Sequence, residues 1–276
     1  MYRPDHRPEK TSLNKPLAAV IVLLLLVFAG GCAGHNIQQN YADDVYARFL
    51  AAYSGCNATG LKATGSLFYS AEGRGHRTTI TLWGNAETPL RLDVRAGIGA
   101  YIAHIREDES GLTAYYPEQE TVYTHSSPQR GVKLLGLPFP FSLKDLAGLV
   151  GGCYQSLIQS TYNSVNPVDG NGDRQFFFND GPLSSVTLTG QGIPIGMTGC
   201  GETPWRMELT SYEEGDSGKM LPGKITVYTE NGGRAVLRIK TREFSASKWP
   251  DKSLEMQLPE GTRTVRLDRA SYIKVN

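Results

Sequence analysis

The chain has 276 residues, with 28 Lys and Arg against 27 Asp and Glu and a formal net charge of +1. That length allows one large domain or two small ones, and the charge balance gives no general reason to expect nucleic acid as a partner. Lys and Arg are dispersed, with no aromatic-basic stripe.

The first element is the run of thirteen consecutive apolar residues from Leu17 to Ala29. A membrane-spanning helix needs about 18 or more, whereas a secretory apolar region has about 7 to 15. Arg3, Arg7, Lys10 and Lys15 precede the run, and the small residues Ala29, Gly30 and Gly31 lead to Cys32. The segment resembles a bacterial lipoprotein signal, with one departure at Ala29, where leucine is usual. It predicts residues 1–31 as a signal peptide and Cys32 as the lipidated first residue of a single mature domain, 32–276. One acyl chain binds a membrane only marginally, at about 0.8 kcal/mol per buried methylene; several chains on one cysteine make a durable anchor. Ala33 follows, and the lack of aspartate there favours the outer membrane. Residues 1–31 hold four Lys/Arg and two Asp/Glu, so the mature chain keeps 24 basic and 25 acidic side chains. Cys56, Cys153 and Cys200 then remain, enough for one disulfide within the chain. Cys153–Cys200 is the expected pair, since both lie in the irregular middle region, and Cys56 stays open as a partner.

Residues 35 to 54 read as an amphipathic helix, with Ile37, Tyr41, Val45, Phe49 and Tyr53 recurring every four residues. From Leu61 the period becomes two. Leu61, Ala63, Leu67 and Tyr69 share a face, then Thr78, Ile80 and Leu82, then Leu90, Leu92 and Val94 opposite Arg91, Asp93 and Arg95. Ala100–Glu107, Gly111–Tyr116 and Glu120–Ser126 follow, joined by short turns, which implies an antiparallel meander. A loop with Gly131, Gly136, Pro138 and Pro140 leads to Ser142–Val150, a helix capped by Ser142 and Asp145, with a stripe of Leu143, Leu146 and Leu149. Between 153 and 203 the pattern is weakest: a short helix or irregular piece at Tyr154–Tyr162, then strands at Gln175–Asn179 and Ser185–Thr189. The meander resumes with Trp205–Tyr212, Lys224–Thr229, Arg234–Ser245 and Arg263–Asp268. The expected fold is mainly β (α+β), with about ten or eleven strands.

Motifs for chemistry are weak. Gly215-Asp-Ser-Gly218 matches the surroundings of a serine nucleophile, but no histidine stands in a supporting motif. Asp169-Gly-Asn-Gly-Asp173 echoes a calcium loop, yet Arg174 occupies the sixth position, which requires glycine; a solvated hairpin turn is expected. No catalytic residue, metal site or cofactor is expected.

Several segments in order carry a family resemblance: Gly65-Ser-Leu-Phe-Tyr69, Arg91-Leu-Asp-Val-Arg-Ala-Gly-Ile-Gly99, Leu137-Pro-Phe-Pro-Phe-Ser-Leu-Lys-Asp-Leu-Ala-Gly-Leu-Val150, Pro222-Gly-Lys-Ile-Thr-Val-Tyr228 and Arg234-Ala-Val-Leu-Arg-Ile-Lys240. Over most of residues 36 to 245 this order of short motifs resembles the outer-membrane lipoprotein receptor LolB and, more broadly, the LolA/LolB lipoprotein-carrier superfamily. The resemblance implies an unclosed antiparallel β-barrel, with an N-terminal helix and lid helices over an apolar concavity for acyl chains. It implies a lipid-anchored monomer facing the periplasm, which takes acylated lipoproteins from a LolA-like carrier and inserts them into the outer membrane without nucleotide or metal. Ile98, an apolar residue between glycines at a hairpin tip, matches the position of the family's membrane-insertion loop, where the family has leucine. The middle region 153–203 is larger than such a receptor needs, and the tail after Phe244 looks more like the carrier.

On such a half-barrel the inward faces would form the cavity: Leu67, Tyr69, Ile80, Leu82, Leu90, Leu92, Tyr101, Ala103, Ile105, Ile225, Val227, Leu237 and Ile239, with Leu143, Leu146 and Leu149 as its lid. Two other functions suit the same chain. One is carriage of free lipid or glycolipid. The other is a structural or assembly role with a filled barrel.

Overall fold

The computed structural model describes residues 38–56, 58–97, 99–168, 170–200, 204–215 and 218–269. Cys32, Ile37, Ile98 and Asp169 lie outside the described residues. The chain divides into two compact units, Met1–Asp44 and Val45–Asn276. The described residues of the first, 38–44, are helical; the same helix, α1, ends at 53 in the second unit.

Among the described residues of the second unit, fourteen strands form one sheet. In chain order these are β1 Gly60–Ala71, β2 Arg74–Asn85, β3 Leu90–Ala96, β4 Ala100–Asp108, β5 Gly111–Tyr116, β6 Thr121–His125, β7 Ser164–Val168, β8 Asp173–Phe177, β9 Leu183–Leu188, β10 Pro194–Gly199, β11 Trp205–Glu214, β12 Met220–Thr229, β13 Arg234–Ser245 and β14 Arg263–Arg266. Helices α2 Pro128–Leu134 and α3 Leu143–Gly151 fall between β6 and β7, and the short α4 Asp251–Leu254 precedes β14. The sheet runs β14-β6-β5-β4-β3-β2-β1-β13-β12-β11-β10-β9-β8-β7, so β1 meets β13 in the middle and the two outer strands stay unpaired on one side. Every pairing is antiparallel except β14 with β6. The fold is therefore a mainly β, unclosed barrel.

Alternation builds the inner wall. Ala63, Leu82, Leu92, Ile105 and Ala114 stand in register across β1 to β5. Leu67, Leu237, Ile225 and Leu209 do the same across β1, β13, β12 and β11. All nine are buried, and each large aliphatic one contributes about 1.5 to 3 kcal/mol by leaving water. Helix α3 lies against this wall through Leu143, Leu146 and Leu149, all buried. Its first turn has the expected capping box: Ser142 Oγ accepts from Asp145 N at 3.1 Å, and Ser142 N donates to Asp145 Oδ2 at 3.3 Å. It ends on Gly152 at φ +67°, where a Cβ would come within 2.4 Å of Leu221 Cδ2. Only glycine fits that left-handed cap without a clash.

The structure corrects several sequence-based expectations. The segment expected as a loop after Ser127 contains α2. Its Gly131 reads as a loop signal, yet the missing side chain lets the helix lie on β5, where a Cβ would stand 2.8 Å from Leu112 Cδ2. Of the two forms expected at 154–162, a short helix or an irregular piece, the irregular one is present, with a turn at 155–157. The strand count is fourteen rather than ten or eleven, because β7 and β10 escape the alternation test. β7 is a largely exposed edge strand containing Pro167, and β10 carries Gly196 and Gly199. β7 and β8 form the hairpin expected around 169–172.

The disulfide joins Cys56 to Cys153, not Cys153 to Cys200; the Cα atoms are 5.1 Å apart. Cys56 follows the end of α1 and Cys153 follows the cap of α3, and Tyr154 N donates to Tyr53 O at 2.8 Å, so the two helix ends meet. Cys200 is a free, exposed thiol just past β10, with its Sγ 3.1 Å from Gly181 O.

Candidate functional site

The inward face predicted as a cavity is mostly a packed wall. Leu67, Ile80, Leu82, Leu90, Leu92, Ala103, Ile105, Ile225 and Leu237 are buried among neighbouring side chains, as is the α3 stripe. An open space remains beside that wall. A cavity of about 400 Å³ lies between the segment 129–140 and strands β1 and β11 to β13. Tyr69, Leu137, Phe139, Trp205, Val227 and Ala235 give it an apolar lining, and Arg130 and Lys133 of α2 stand beside it. Tyr69 and Val227 are the two residues of the predicted set that line it. Leu137, Phe139 and Trp205 were not singled out from the sequence: the first two lie in a proline-rich loop, and Trp205 opens a strand.

Trp205 packs edge-on against Phe141, which stacks on Phe139, with centroids 5.6 and 5.8 Å apart. This aromatic ladder holds the 136–142 loop over the cavity. Ile239 lies elsewhere, half-buried beside a small groove with Arg242 and Phe244. Tyr101 is on the opposite face. A register shift between Val94 and Arg95 pairs Tyr101 with Arg95. The extra residue turns the side chain outward, onto His104 at a centroid distance of 4.3 Å.

The topology sets the direction of the opening. Tyr69 is near the last residue of β1, and Thr229, Asn231 and Gly233 belong to the β12–β13 turn, all at one end of the sheet. The β3–β4 hairpin, 96–100, turns at that same end. Ile98 at its tip lies outside the described residues, while Tyr101 and Ile102 beside it are 36% and 38% exposed.

The other end of the sheet is tied to α3 by charged groups. Glu107 of β4 is 4% exposed and accepts from Leu143 N through Oε2 at 2.6 Å, at the helix start. Burial pushes its carboxyl up to about 7, against the opposing pull of the backbone donors of Leu143 and Lys144. At the helix end Arg242 Nε donates to Val150 O at 2.9 Å, and its Nη2 donates to Pro222 O. Lys219 Nζ donates to Gly152 O at 2.9 Å. Burial lowers the pKa of both cations. The carboxylate sits at the positive end of the helix dipole and the cations at its negative end, which is the favourable arrangement. Beside Arg242 the Tyr154 hydroxyl is buried without a hydrogen-bond partner among the described residues, and burial raises its pKa.

A second cavity of about 340 Å³ lies behind α3, lined by Leu61, Ala147, Gly148, Gly151, Phe244 and the disulfide, with the Lys144–Glu87 pair (2.5 Å) at its edge.

Solved structures share this architecture. A DUF1329 family protein from Desulfovibrio piger aligns with a TM-score of 0.54 at 10% identity, covering 77% of this chain and 95% of its own. A LolA superfamily protein from Nitrosomonas europaea also aligns with a TM-score of 0.54, at 12% identity, covering 78% of this chain and 97% of its own. The fold is LolA-like. No family model and no curated protein sequence matches the chain. At these identities the likeness is one of fold, the unclosed, mainly antiparallel β-barrel.

Proposed function

We propose that this chain is a lipid-anchored envelope protein that holds acyl chains of lipoproteins in its LolA-like half-barrel and passes them to the outer membrane. The observation that carries this is the apolar cavity of about 400 Å³ opening at the same end as the β3–β4 hairpin. That volume is at the lower part of the range for small-ligand sites. Tyr69, Leu137, Phe139, Trp205, Val227 and Ala235 offer apolar contact to an alkyl chain, and Arg130 and Lys133 stand at its side for a polar end. Cys32 would supply the anchor and Ile98 the element that enters the bilayer, where burying such a side chain gains about 1.5 to 3 kcal/mol. Transfer would be passive and non-enzymatic: affinity for the acyl group exceeds that of a periplasmic LolA-like carrier and falls below that of the membrane.

The packed inner wall favours a second reading on the same fold, a binder of free lipid or glycolipid with a single chain in the mouth. One experiment separates the two. The chain is mixed with a carrier loaded with an acylated lipoprotein, and movement of cargo is followed by pull-down, with Ile98→Glu run beside it in a liposome-insertion assay. Cargo movement with insertion lost in the variant supports the receptor. Extraction of free lipid without cargo movement supports the second reading. If neither occurs, carriage is abandoned for a filled-barrel assembly role.

A further inference from the structure

The outer side of the sheet carries polar groups that lipid carriage does not use. The segment from Trp249 onward crosses this convex face: Trp249 N donates to Asn85 Oδ1 at 2.8 Å, Leu254 is fully buried, and β14 joins the edge at β6. Between this strap and strands β3 to β5 lies a cavity of about 380 Å³ lined by Arg91, His104, Tyr115, Lys252, Glu255 and Gln257. We propose that this cavity is a binding site for the phosphate group of a small ligand.

Its floor is built in advance. Asp93, 6% exposed, is 2.8 Å from His104 Nδ1 and 3.4 Å from Arg91 Nη2 through the same Oδ1. A carboxylate only accepts hydrogen bonds, so His104 carries its proton on Nδ1 and keeps Nε2 for the cavity. The imidazole is further held by Tyr101 and Tyr115, with centroids at 4.3 and 6.3 Å. Arg91 lies over Trp83 at 4.8 Å and donates from Nη1 to Glu255 O at 2.9 Å, which ties the strap to the wall. Its Nε is buried away from the cavity and has no hydrogen-bond partner among the described residues.

The composition of the lining selects the ligand. Asp93 is already engaged beneath the cavity, so Glu255 is its one lining carboxylate, set against Arg91 and Lys252, with the His104 imidazole and the Tyr115 hydroxyl beside them. A carboxylate ligand offers two oxygens in one plane. A phosphate monoanion offers tetrahedral acceptor oxygens to Lys252 and the Tyr115 hydroxyl and a P–OH donor to His104 Nε2, which matches groups arriving from two strands and the strap.

The group could belong to a soluble phosphomonoester or to a lipid headgroup, and the test separates them. Full-length chain in detergent micelles, with isotope label on His104, is titrated with inorganic phosphate and with glycerol 3-phosphate. In a third arm it is mixed with phosphatidylcholine vesicles containing phosphatidic acid. Saturable movement of the His104 ring signals is expected, with affinity weakened about tenfold or more in Lys252→Gln and in Tyr115→Phe, since each removes one donor to a charged acceptor. Tyr115→Phe keeps the packed ring, so loss there reports the hydroxyl rather than the fold. Saturation by either soluble probe identifies a soluble ligand, and saturation by the vesicles alone identifies a headgroup; both uphold the site. No saturable movement in any arm, or equal movement in both variants, overturns it.

Discussion

At the α3 end of the half-barrel, Glu107, Arg242 and Lys219 bond to helix termini, and the Cys56–Cys153 bridge closes the gap between α1 and α3. At the opposite end the cavity is walled by Tyr69, Phe139, Trp205 and Val227, and its cover is a proline-rich loop held by aromatic contacts. The difference teaches how a small β protein keeps a void. Interiors pack to near crystal density, and an apolar hole costs stability through the contacts its lining forgoes. Here covalent and charged ties rigidify one end, and the other end can stay open for a ligand.

If that division of labour is right, changes at the tied end cost stability and changes at the open end cost binding. The largest loss is expected for Cys56→Ser with Cys153→Ser. The bridge spans a sequence separation of 97, and removing such a link costs about 2 to 5 kcal/mol, read as a lower urea midpoint that no longer responds to reductant. Arg242→Met comes next. It leaves Val150 O and Pro222 O without their donor, at a cost of about 2 to 3 kcal/mol in the same unfolding assay.

Glu107→Gln tests the pH dependence of the tie. The folded carboxyl titrates near 7, above its ordinary 4.5, so between these values the folded chain holds more protons than the unfolded one. The group's contribution to stability is therefore complete below about 4.5 and is lost as pH rises through 7, at up to about 1.4 kcal/mol per pH unit. The amide variant should flatten that slope across pH 5 to 7, and an unchanged slope would refute the assignment. The smallest effect on folding is expected at the open end. Leu137→Glu places a charge on a half-buried loop residue, so stability should fall by less than about 1 kcal/mol while binding of a fluorescent fatty acid drops about tenfold. A large stability loss without a binding loss would reverse the comparison.

Much of the frame was legible in advance. Alternation located β1 to β6 and β11 to β13 because their two faces meet different solvents, and Ser142 with Asp145 marked the start of α3 through a purely local hydrogen-bond pattern. The site was less legible. Tyr101 follows the same alternation as Ala103 and Ile105, but a one-residue bulge opposite Arg95 reverses it, and such a shift leaves no trace in a period-two pattern. Leu137 and Phe139 read as loop residues because nothing local reveals that the loop folds back over the sheet. The pairing of Cys56 with Cys153 depended on two helix ends meeting, which spacing does not encode.

By itself the sequence determined a mainly β chain with one strongly apolar face and helices to cover it. These follow from period, capping and composition, all set by neighbours along the chain. Tertiary structure alone decided which cysteines pair, that Glu107 reaches the first turn of α3, that the cavity opens at the same end of the sheet as the β3–β4 hairpin, and that Arg91, His104 and Lys252 share a pocket on the outer wall. Each of these joins residues far apart in sequence, and their meeting is settled by sheet register and chain crossings rather than by local preference.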